Sequence, residues 1–423
     1  MKKSQRHIIR STTAITIAVT AVVLAGCSSG GASTTTEDGQ TVLKVYGWKG
    51  SEGEPANVAE INAAFEKANP DIKLEFEAVP ANEAYSQRVQ PELLAGNAAD
   101  VIMLDSNLLA TWGKSGYLAD QSSAEWADDI IPEVESFATY DDAVLGMPME
   151  AIGVGLYSNT DLLSEVGVNE VPTDWDGFVD ALTKLKAAGH DPITLPDKAG
   201  WTGAMALLNA AATTVDKGWD EEFYQGDASF SDWRPAVEQL LDLQEQGFID
   251  WKTELGEDEW SQGADDFAAG DTGFWLQGAW NLGGVTEAGI NSQFTAWPGG
   301  EAGSDPNELL FVGTMWGVNE ASPVKDAAAK YVDFWSQPEN LDLFLQAENA
   351  ISPFESGTSP KSDATGEFLA SYEAGNYRFM QTNTWMAGDV QTQMGSRLQA
   401  LFLDEITVDE FLDEMDGIAK KAE

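Results

Sequence analysis

Residues 41–78 read TVLKVYGWKGSEGEPANVAEINAAFEKANPDIKLEFEA and contain the pattern that decides the fold. The first eight residues are rich in side chains that favour a strand. Apolar residues then recur at helical spacing from Val58 to Ala68, and Asn69 and Pro70 end that helix. The last segment alternates apolar and polar residues, which predicts a second strand. Strand, helix and strand in this order indicate an α/β fold with right-handed crossovers.

The same alternation continues outward from this unit. A helix through Tyr85 to Leu94 leads to DVIMLD at residues 100–105, a continuous apolar strand of the kind buried in a parallel sheet. Residues 146–157 are apolar, contain glycines and are long enough to run between two lobes. We predict further helices at residues 174–189, 232–247, 323–337 and 407–422.

Three local signals set the ends of two of these helices. Thr173 is the expected N-cap of the helix at 174–189, and Gly189 is its expected stop, with His190 as a C-terminal cap. Ser322 is the expected N-cap of the helix at 323–337, with Pro323 in its first position.

The N-terminus has the features of an export signal. Lys2, Lys3, Arg6 and Arg10 precede an apolar run at residues 14–24, and Leu-Ala-Gly-Cys follows at 24–27. This order resembles a bacterial lipobox, in which a lipid such as palmitate is attached to the cysteine; the alternative is a plain secretory signal with an incidental cysteine. We expect a signal peptide at 1–26, lipidated Cys27 and a flexible tether over 27–41. Cys27 is the only cysteine, so its lipidation leaves none for disulfides, zinc or nucleophilic catalysis.

Charge limits the class of ligand. The chain of 423 residues has a formal net charge of −47. Binding of nucleic acid requires basic patches, so nucleic acid is not an expected partner. A strongly acidic surface also repels anions, and a neutral ligand fits it best.

Catalytic motifs are scarce. The only histidines are His7 and His190, too few for a Ser-His-Asp triad or a histidine-rich metal site. Ser322 and Lys325 match S-x-x-K, but the companion motifs of that enzyme class are missing. A carboxylate pair for glycoside hydrolysis stays open, because 70 acidic residues allow almost any pair to be proposed. We expect no metal and no cofactor.

Tryptophan is the positive signal. The chain has 15 tryptophans, and residues 272–284, TGFWLQGAWNLGG, place two of them among glycines. Trp275 alternates with Phe274 and Leu276 in a strand, which favours the core or the surface of a lobe over the ligand site. Trp280 follows Gly278 and is expected to lie uncovered, where its flat face matches the apolar face of a sugar ring.

Five segments in order resemble the carbohydrate-binding family of ABC-transporter solute-binding proteins, which includes maltose-binding protein. In two of them the chain departs from the family pattern: Ala99 replaces a usual proline, and Gly273-Phe274 replaces Ala-Met. The segments are AAFEKANPDIKLEFE at 63–77, LLAGNAADVIML at 93–104, GMPMEAIGVGLYSNTDLLSEVG with VPTDWDGF at 146–178, FAAGDTGFWLQGAW at 267–280 and VGTMWGVNEASPVKDAA at 312–328.

The resemblance implies a two-lobed, periplasmic-binding-protein-like α/β fold with hinge strands and a central ligand cleft. It places the N-terminal lobe at 42–148 with part of about 285–320, and the C-terminal lobe at 149–284. Helices in 321–423 complete both lobes. The site residues that it implies are Trp48, Glu52, Asp105, Asn107, Glu150, Trp201, Trp280, Trp316, Trp385 and Asp389.

The implied function is capture of a di- or oligosaccharide and its delivery to the permease of an ABC importer, by a monomer anchored through lipid at the extracellular face of the membrane. Residues 185–201, LKAAGHDPITLPDKAGW, lean towards raffinose-type or other α-linked sugars. Two alternatives remain: a glycoside hydrolase, and a binding protein for a peptide or another non-sugar solute.

Overall fold

A computed structural model describes residues 34–49, 57–80, 83–380 and 390–420. These residues form strands at Thr41–Gly47 (β1), Ile72–Ala78 (β2), Val101–Leu104 (β3), Thr139–Tyr140 (β4), Ala143–Val144 (β5), Met147–Pro148 (β6), Ala151–Asn159 (β7), Asp191–Thr194 (β8), Thr272–Gly278 (β9), Ser292–Thr295 (β10), Glu308–Val312 (β11), Met315–Val318 (β12) and Tyr377–Phe379 (β13).

Helices cover most of the remaining described chain. They are Val58–Ala68 (α1), Glu83–Ala95 (α2), Ser106–Lys114 (α3), Pro132–Ala138 (α4), Thr160–Glu165 (α5), Trp175–Ala188 (α6), Trp201–Thr214 (α7), Trp219–Gln225 (α8), Arg234–Glu245 (α9), Trp251–Glu254 (α10), Gln262–Ala268 (α11), Leu282–Glu287 (α12), Lys325–Trp335 (α13), Pro338–Glu348 (α14), Gly366–Glu373 (α15), Val390–Phe402 (α16) and Val408–Ala419 (α17), with short 3₁₀ turns at Ala127–Asp129, Phe230–Trp233 and Ala279–Asn281. Within the described ranges, each helix is too short or too polar to cross a membrane.

Two larger sheets, one in each of two lobes, organise the chain. The first sheet has the order β2-β1-β3-β12-β6, with β1 parallel to both β2 and β3 and β12 antiparallel to β3. The second has the order β13-β11-β7-β9-β8, and β10 also pairs with β7. Of the range 285–320, β12 therefore joins the first sheet, whereas β10 and β11 join the second. The mixed α/β fold expected from the alternation of strands and helices is confirmed.

The sequence pattern of residues 41–78 correctly predicts which side chains are buried. Ile72 and Leu74 of β2 are buried while Lys73 and Glu75 are exposed, so the alternation gives one face to the core. Helix α1 buries Val58, Ile61 and Phe65 against the first sheet, and its end at Ala68 is where Asn69 and Pro70 predict it.

Two helix starts differ from the prediction. The N-cap of α6 is Asp174 rather than Thr173, because the Asp174 carboxylate accepts a hydrogen bond from Gly177 N at 2.9 Å. Helix α13 starts at Lys325 rather than at Pro323, because Val324 has a non-helical conformation at φ −125°. The Ser322 hydroxyl still accepts from Val324 N at 3.1 Å, and it donates to Asp100 Oδ1 at 2.7 Å.

The end of α6 agrees with the prediction. Gly189 adopts a left-handed conformation at φ 95°, and His190 N donates to Leu185 O at 3.1 Å. The His190 ring itself lies 2.6 Å from Asp271, and a hydrogen bond to this carboxylate raises the histidine pKa.

Alternate residues of β9 belong to different hydrophobic clusters. Trp275 packs with Tyr157 in the cluster that continues through the first sheet, whereas Phe274 and Leu276 belong to the cluster on the other face of the second sheet. Trp275 is 2% exposed and stacks on Tyr157 with ring centroids 5.5 Å apart. Its predicted place in the core is confirmed.

Trp275→Ala should therefore lower the free energy of unfolding by about 3–5 kcal/mol, the usual cost of truncating a buried aromatic residue. Chemical denaturation measures this loss. Tyr224→Ala is the matched control, because Tyr224 is 38% exposed and its removal should cost far less. Equal losses in the two variants would contradict the core assignment.

Candidate functional site

Two neighbouring passages of chain connect the sheets. Met149 and Glu150 link β6 to β7, and Gly313 and Thr314 link β11 to β12. Met149 N donates to Thr314 O at 2.9 Å, and Gly313 N donates to Glu150 O at 3.3 Å. The paired passages form the hinge that the apolar segment at 146–157 predicts.

A third segment reinforces this hinge. Ile351, just after α14, exchanges two backbone hydrogen bonds with Ala151, at 2.9 and 2.7 Å. Glycine at position 313 leaves room for Glu150, since a Cβ there would stand 2.5 Å from Glu150 Oε1 and would displace this carboxylate.

A buried cluster of charges occupies the hinge. Lys49 Nζ lies 2.9 Å from Glu150 Oε1 and 2.6 Å from Glu348 Oε2, and Thr314 Oγ1 donates to Glu150 Oε1 at 2.9 Å. Burial by itself lowers the pKa of Lys49, but the two carboxylates outweigh it and the pKa is raised. The lysine therefore stays charged and joins the end of β1 to two hinge segments.

The carboxyl ends of β1 and β3 meet at one edge of the first sheet, because these strands are parallel. Trp48 follows β1, is partly buried, and packs edge-on against Tyr85 with centroids 4.9 Å apart. Asp105 follows β3 and caps α3 by accepting from Leu108 N at 2.7 Å. Burial raises the pKa of this carboxyl, and Asn107 next to it is exposed.

Tyr85 holds the ends of β1 and β3 together at this edge, and no sequence pattern indicates this role. Its hydroxyl donates to Tyr46 O at 3.1 Å and accepts from Met103 N at 2.9 Å. The tyrosine that packs against Trp48 is therefore hydrogen-bonded, through its hydroxyl, to both β1 and β3.

The second sheet has a corresponding edge. β8 is parallel to β9, so Trp201, which begins α7 beyond β8, and Trp280, just past β9, lie at the same end of the sheet. Their ring centroids are 6.3 Å apart. Both rings are partly buried, as a surface kept for a ligand requires.

Trp280 lies beside the hinge. β7 runs antiparallel to β9 and pairs Val154 with Gly278, so the start of β7 and the end of β9 coincide. The Trp280 ring packs against both hydrophobic clusters, and the turn that carries it contacts α14. A Cβ on Gly278 would overlap this ring, which explains the glycine before it.

Two buried carboxylates hold the loop that precedes Trp201. Asp197 Oδ1 accepts from Gly203 N at 2.8 Å in the first turn of α7, and Glu254 Oε2 accepts from Leu195 N at 2.8 Å. Burial, then the charge of Glu259, raises the pKa of Asp197 to about 7. Burial also raises the pKa of Glu254 to about 7. The loop between β8 and α7 is therefore held by acids that titrate near neutrality.

The structure brings together some of the residues predicted for the site and separates one. Glu150 is at the hinge, but it is 1% exposed and engaged by Lys49. Trp316 has no exposed surface and packs edge-on against Tyr331 and Trp335, so it belongs to the core in this conformation. The resemblance predicts that Trp316 faces the ligand from a segment that crosses between the lobes. It lies instead within β12 of the first sheet, and its side chain is buried there. Glu52, Trp385, Asp389 and Cys27 lie outside the described residues.

Lys49 and Trp260 are absent from the sequence-based set. Lys49 follows Trp48 directly, and a lysine at a strand end in so acidic a chain is a signal that could have found it. Trp260 contacts Trp201 with centroids 4.9 Å apart, but its segment has no motif. Within the described ranges, no group of three or more potential metal ligands is present.

Residues 49–341 match the family of bacterial extracellular solute-binding proteins, and the chain belongs to this family. Its members are solute-binding proteins and not enzymes, which agrees with the function that the resemblance implies.

Two named relatives are partial matches. The multiple sugar-binding protein of Streptococcus mutans is 29% identical over 189 residues, 44% of this chain and 43% of that protein. The melibiose/raffinose/stachyose-binding protein MelE of Bacillus subtilis is 27% identical over 169 residues, 39% of this chain and 37% of that protein. The chain thus spans less than half the length of either relative.

Solved structures match over a larger share of the chain. A chitin oligosaccharide binding protein has a TM-score of 0.76 at 19% identity, covering 90% of this chain and 99% of that one. A sugar transporter of Bacillus licheniformis in complex with stachyose has a TM-score of 0.70 at 18% identity, covering 89% and 98%. At this identity the likeness establishes the two-lobed fold.

Asp197→Asn should change how stability depends on pH. The folded pKa of Asp197, about 7, exceeds its ordinary value of 3.8, so between these pH values the folded chain binds more protons and loses stability as pH rises. Asparagine keeps the acceptor for Gly203 N without the charge. The stability of the variant relative to wild type should rise by roughly 1–3 kcal/mol from pH 5 to pH 8.

Urea denaturation at both pH values measures this difference. Asp120→Asn is the control, because hydrogen bonds from Ser122 lower the Asp120 pKa and its titration is complete below pH 5. Identical pH dependence in Asp197→Asn and wild type would refute the assignment of a buried, titrating carboxyl.

Proposed function

We propose that the chain is an extracellular solute-binding lipoprotein that captures a di- or oligosaccharide and delivers it to an ABC importer. Membership of the solute-binding family supports capture of a solute. The sugars named for its relative MelE and for the similar solved structure, which include melibiose, raffinose and stachyose, support a sugar. Raffinose-type and other α-linked sugars are the first candidates.

One observation carries the choice of a sugar: Trp280 lies partly uncovered at the hinge, in contact with both hydrophobic clusters and with Trp201. A tryptophan face buries a large apolar area when a flat ring covers it. Since the chain is strongly acidic, the ring that covers it is neutral and rich in hydroxyl groups, as a pyranose is.

Polar groups on the opposite sheet edge complete the proposed site. Asp105 and Asn107 accept or donate hydrogen bonds to sugar hydroxyls, and Trp48 covers a second apolar face. Glu150, which is buried and paired with Lys49 in this conformation, stays a proposed member of the site by resemblance. Closing the two edges over the ligand removes water from these groups, which strengthens each hydrogen bond. Glu52, Trp385 and Asp389 stay proposed members of the site by resemblance.

Trp280→Ala should weaken sugar binding by roughly 1–3 kcal/mol, because it removes a central aromatic anchor. This equals about a 5- to 150-fold loss of affinity. Titration calorimetry with the best-binding sugar measures it, and thermal melting checks that the variant is folded.

Trp275→Ala is the matched control, five residues away in the same strand and turn. It should melt earlier and, where still folded, bind with near wild-type affinity. A Trp280→Ala protein that melts early and binds normally would refute the ligand role.

The proposal includes a lipid anchor at Cys27. Cys27→Ala should move the protein from the membrane fraction to the soluble fraction of its host, because the thiol that carries the lipid is gone, and sugar affinity should not change. Fractionation followed by immunoblotting measures the shift. Membrane retention of the variant would exclude the anchor.

A panel of sugars and peptides separates the proposed function from its alternatives. Intrinsic tryptophan fluorescence reports binding, because Trp201 and Trp280 lie in the proposed site. Sugars recovered intact after long incubation support a binding protein, whereas their hydrolysis by the pure chain supports a glycosidase. Binding of peptides without sugars would overturn the sugar assignment.

A further inference from the structure

Trp260 is an unusually exposed aromatic residue. Large apolar side chains that are exposed within the described ranges are Leu94, Tyr224, Trp260 and Leu403, and Trp260 is the tryptophan of that set, with 42% of its surface exposed. Keeping so large an apolar surface in water is unfavourable. A function that covers this ring explains its position.

The backbone around Trp260 is held firmly. Asp258 Oδ1 accepts from Trp260 N at 3.1 Å, from Ser261 N at 3.0 Å and from Ser261 Oγ at 2.9 Å. Gln262 N then donates to Asp258 O at 3.0 Å and starts α11. The exposed ring is thus presented by an ordered turn.

Glu259 ties this turn to the other two tryptophans. Glu259 is 1% exposed, and both of its carboxylate oxygens accept from Ala199 N at 3.2 Å, two residues before Trp201. Gln277 Nε2 donates to Glu259 O at 3.4 Å, and Gln277 Oε1 accepts from Gly278 N at 2.9 Å, two residues before Trp280. One buried network therefore sets the relative positions of all three rings.

Trp201 contacts both of the other rings, so the three tryptophans form one connected aromatic cluster. Trp201 is in the middle, 4.9 Å from Trp260 and 6.3 Å from Trp280 between ring centroids, with planes tilted by 41° and 55°. These separations allow successive rings of one ligand chain to lie over successive tryptophans. Trp280 lies beside the hinge, and Trp260 is the most exposed of the three rings.

We propose that Trp260 is an outer stacking platform that receives the third ring of a sugar chain whose first rings lie at Trp280 and Trp201. The inference rests on the proposed function and narrows its substrate class to oligosaccharides of three or more rings. Glu259 is a positioning residue in this arrangement, because it contacts the tryptophan loops and has almost no exposed surface.

The number of rings in the sugar is the variable that tests this stacking platform. Wild type and Trp260→Ala are titrated calorimetrically with melibiose, raffinose and stachyose, and with maltose, maltotriose and maltotetraose. We expect wild type to bind the three- and four-ring sugars of one series more tightly than its two-ring sugar. Trp260→Ala should lose about 5- to 20-fold in affinity for the longer sugars and less than 2-fold for the disaccharide.

Two further variants control the comparison. Trp260→Phe keeps a smaller apolar face and should recover part of the lost affinity for the longer sugars. Tyr224→Ala removes an exposed aromatic ring from α8 and should bind every sugar as wild type does. Thermal melting of each variant checks its fold.

Three outcomes would overturn the inference. An equal loss for two- and three-ring sugars would mean that Trp260 only supports Trp201. No loss for any sugar, or a wild type that gains nothing from a third ring, would exclude the platform while leaving sugar binding intact. Failure of wild type to bind any sugar of either series or of the wider panel would instead reject the proposed function itself.

Discussion

The pairing of two chain passages at the hinge is the constraint on which the rest of the structure depends. Met149–Glu150 and Gly313–Thr314 are bonded to each other, so the strands that they connect must begin and end at the same place. Because β3 and β9 run towards this place, the residues that follow them are delivered to it. The site is thus a consequence of strand direction, and its side chains come from segments far apart in sequence.

Charge at the hinge follows a different logic from charge at the surface. The chain carries 70 acidic and 23 basic residues, and most of the acids are solvated and contribute to solubility. Lys49, in contrast, lies between Glu150 and Glu348, where removing charges from water is costly unless they are paired. Since its partners come from two different hinge segments, the lysine holds those segments and the end of β1 in one arrangement.

The two tryptophans of residues 272–284 show how a local pattern divides structural and binding roles. Trp275 lies within the alternation of β9, so the pleat directs it into a cluster with Tyr157. Trp280 lies beyond Gly278, where the strand has ended and no pleat imposes a direction. The glycine lets the ring fold over the strand end, so the ring stays partly uncovered beside the hinge.

The sequence by itself determined the strand-helix-strand unit at 41–78, several later helices and the core place of Trp275, because hydrophobic periodicity and glycine or proline stops are local properties. It misplaced the starts of α6 and α13 by one or two residues, because adjacent residues can each supply a cap, as Asp174 does for Gly177 N, and because Val324 leaves the helical conformation. It also could not separate Trp316, which is fully buried, from Trp280, and it contains no motif that indicates the roles of Tyr85 and Trp260. Only the tertiary structure decided these, because exposure and pairing depend on which distant strands share an edge.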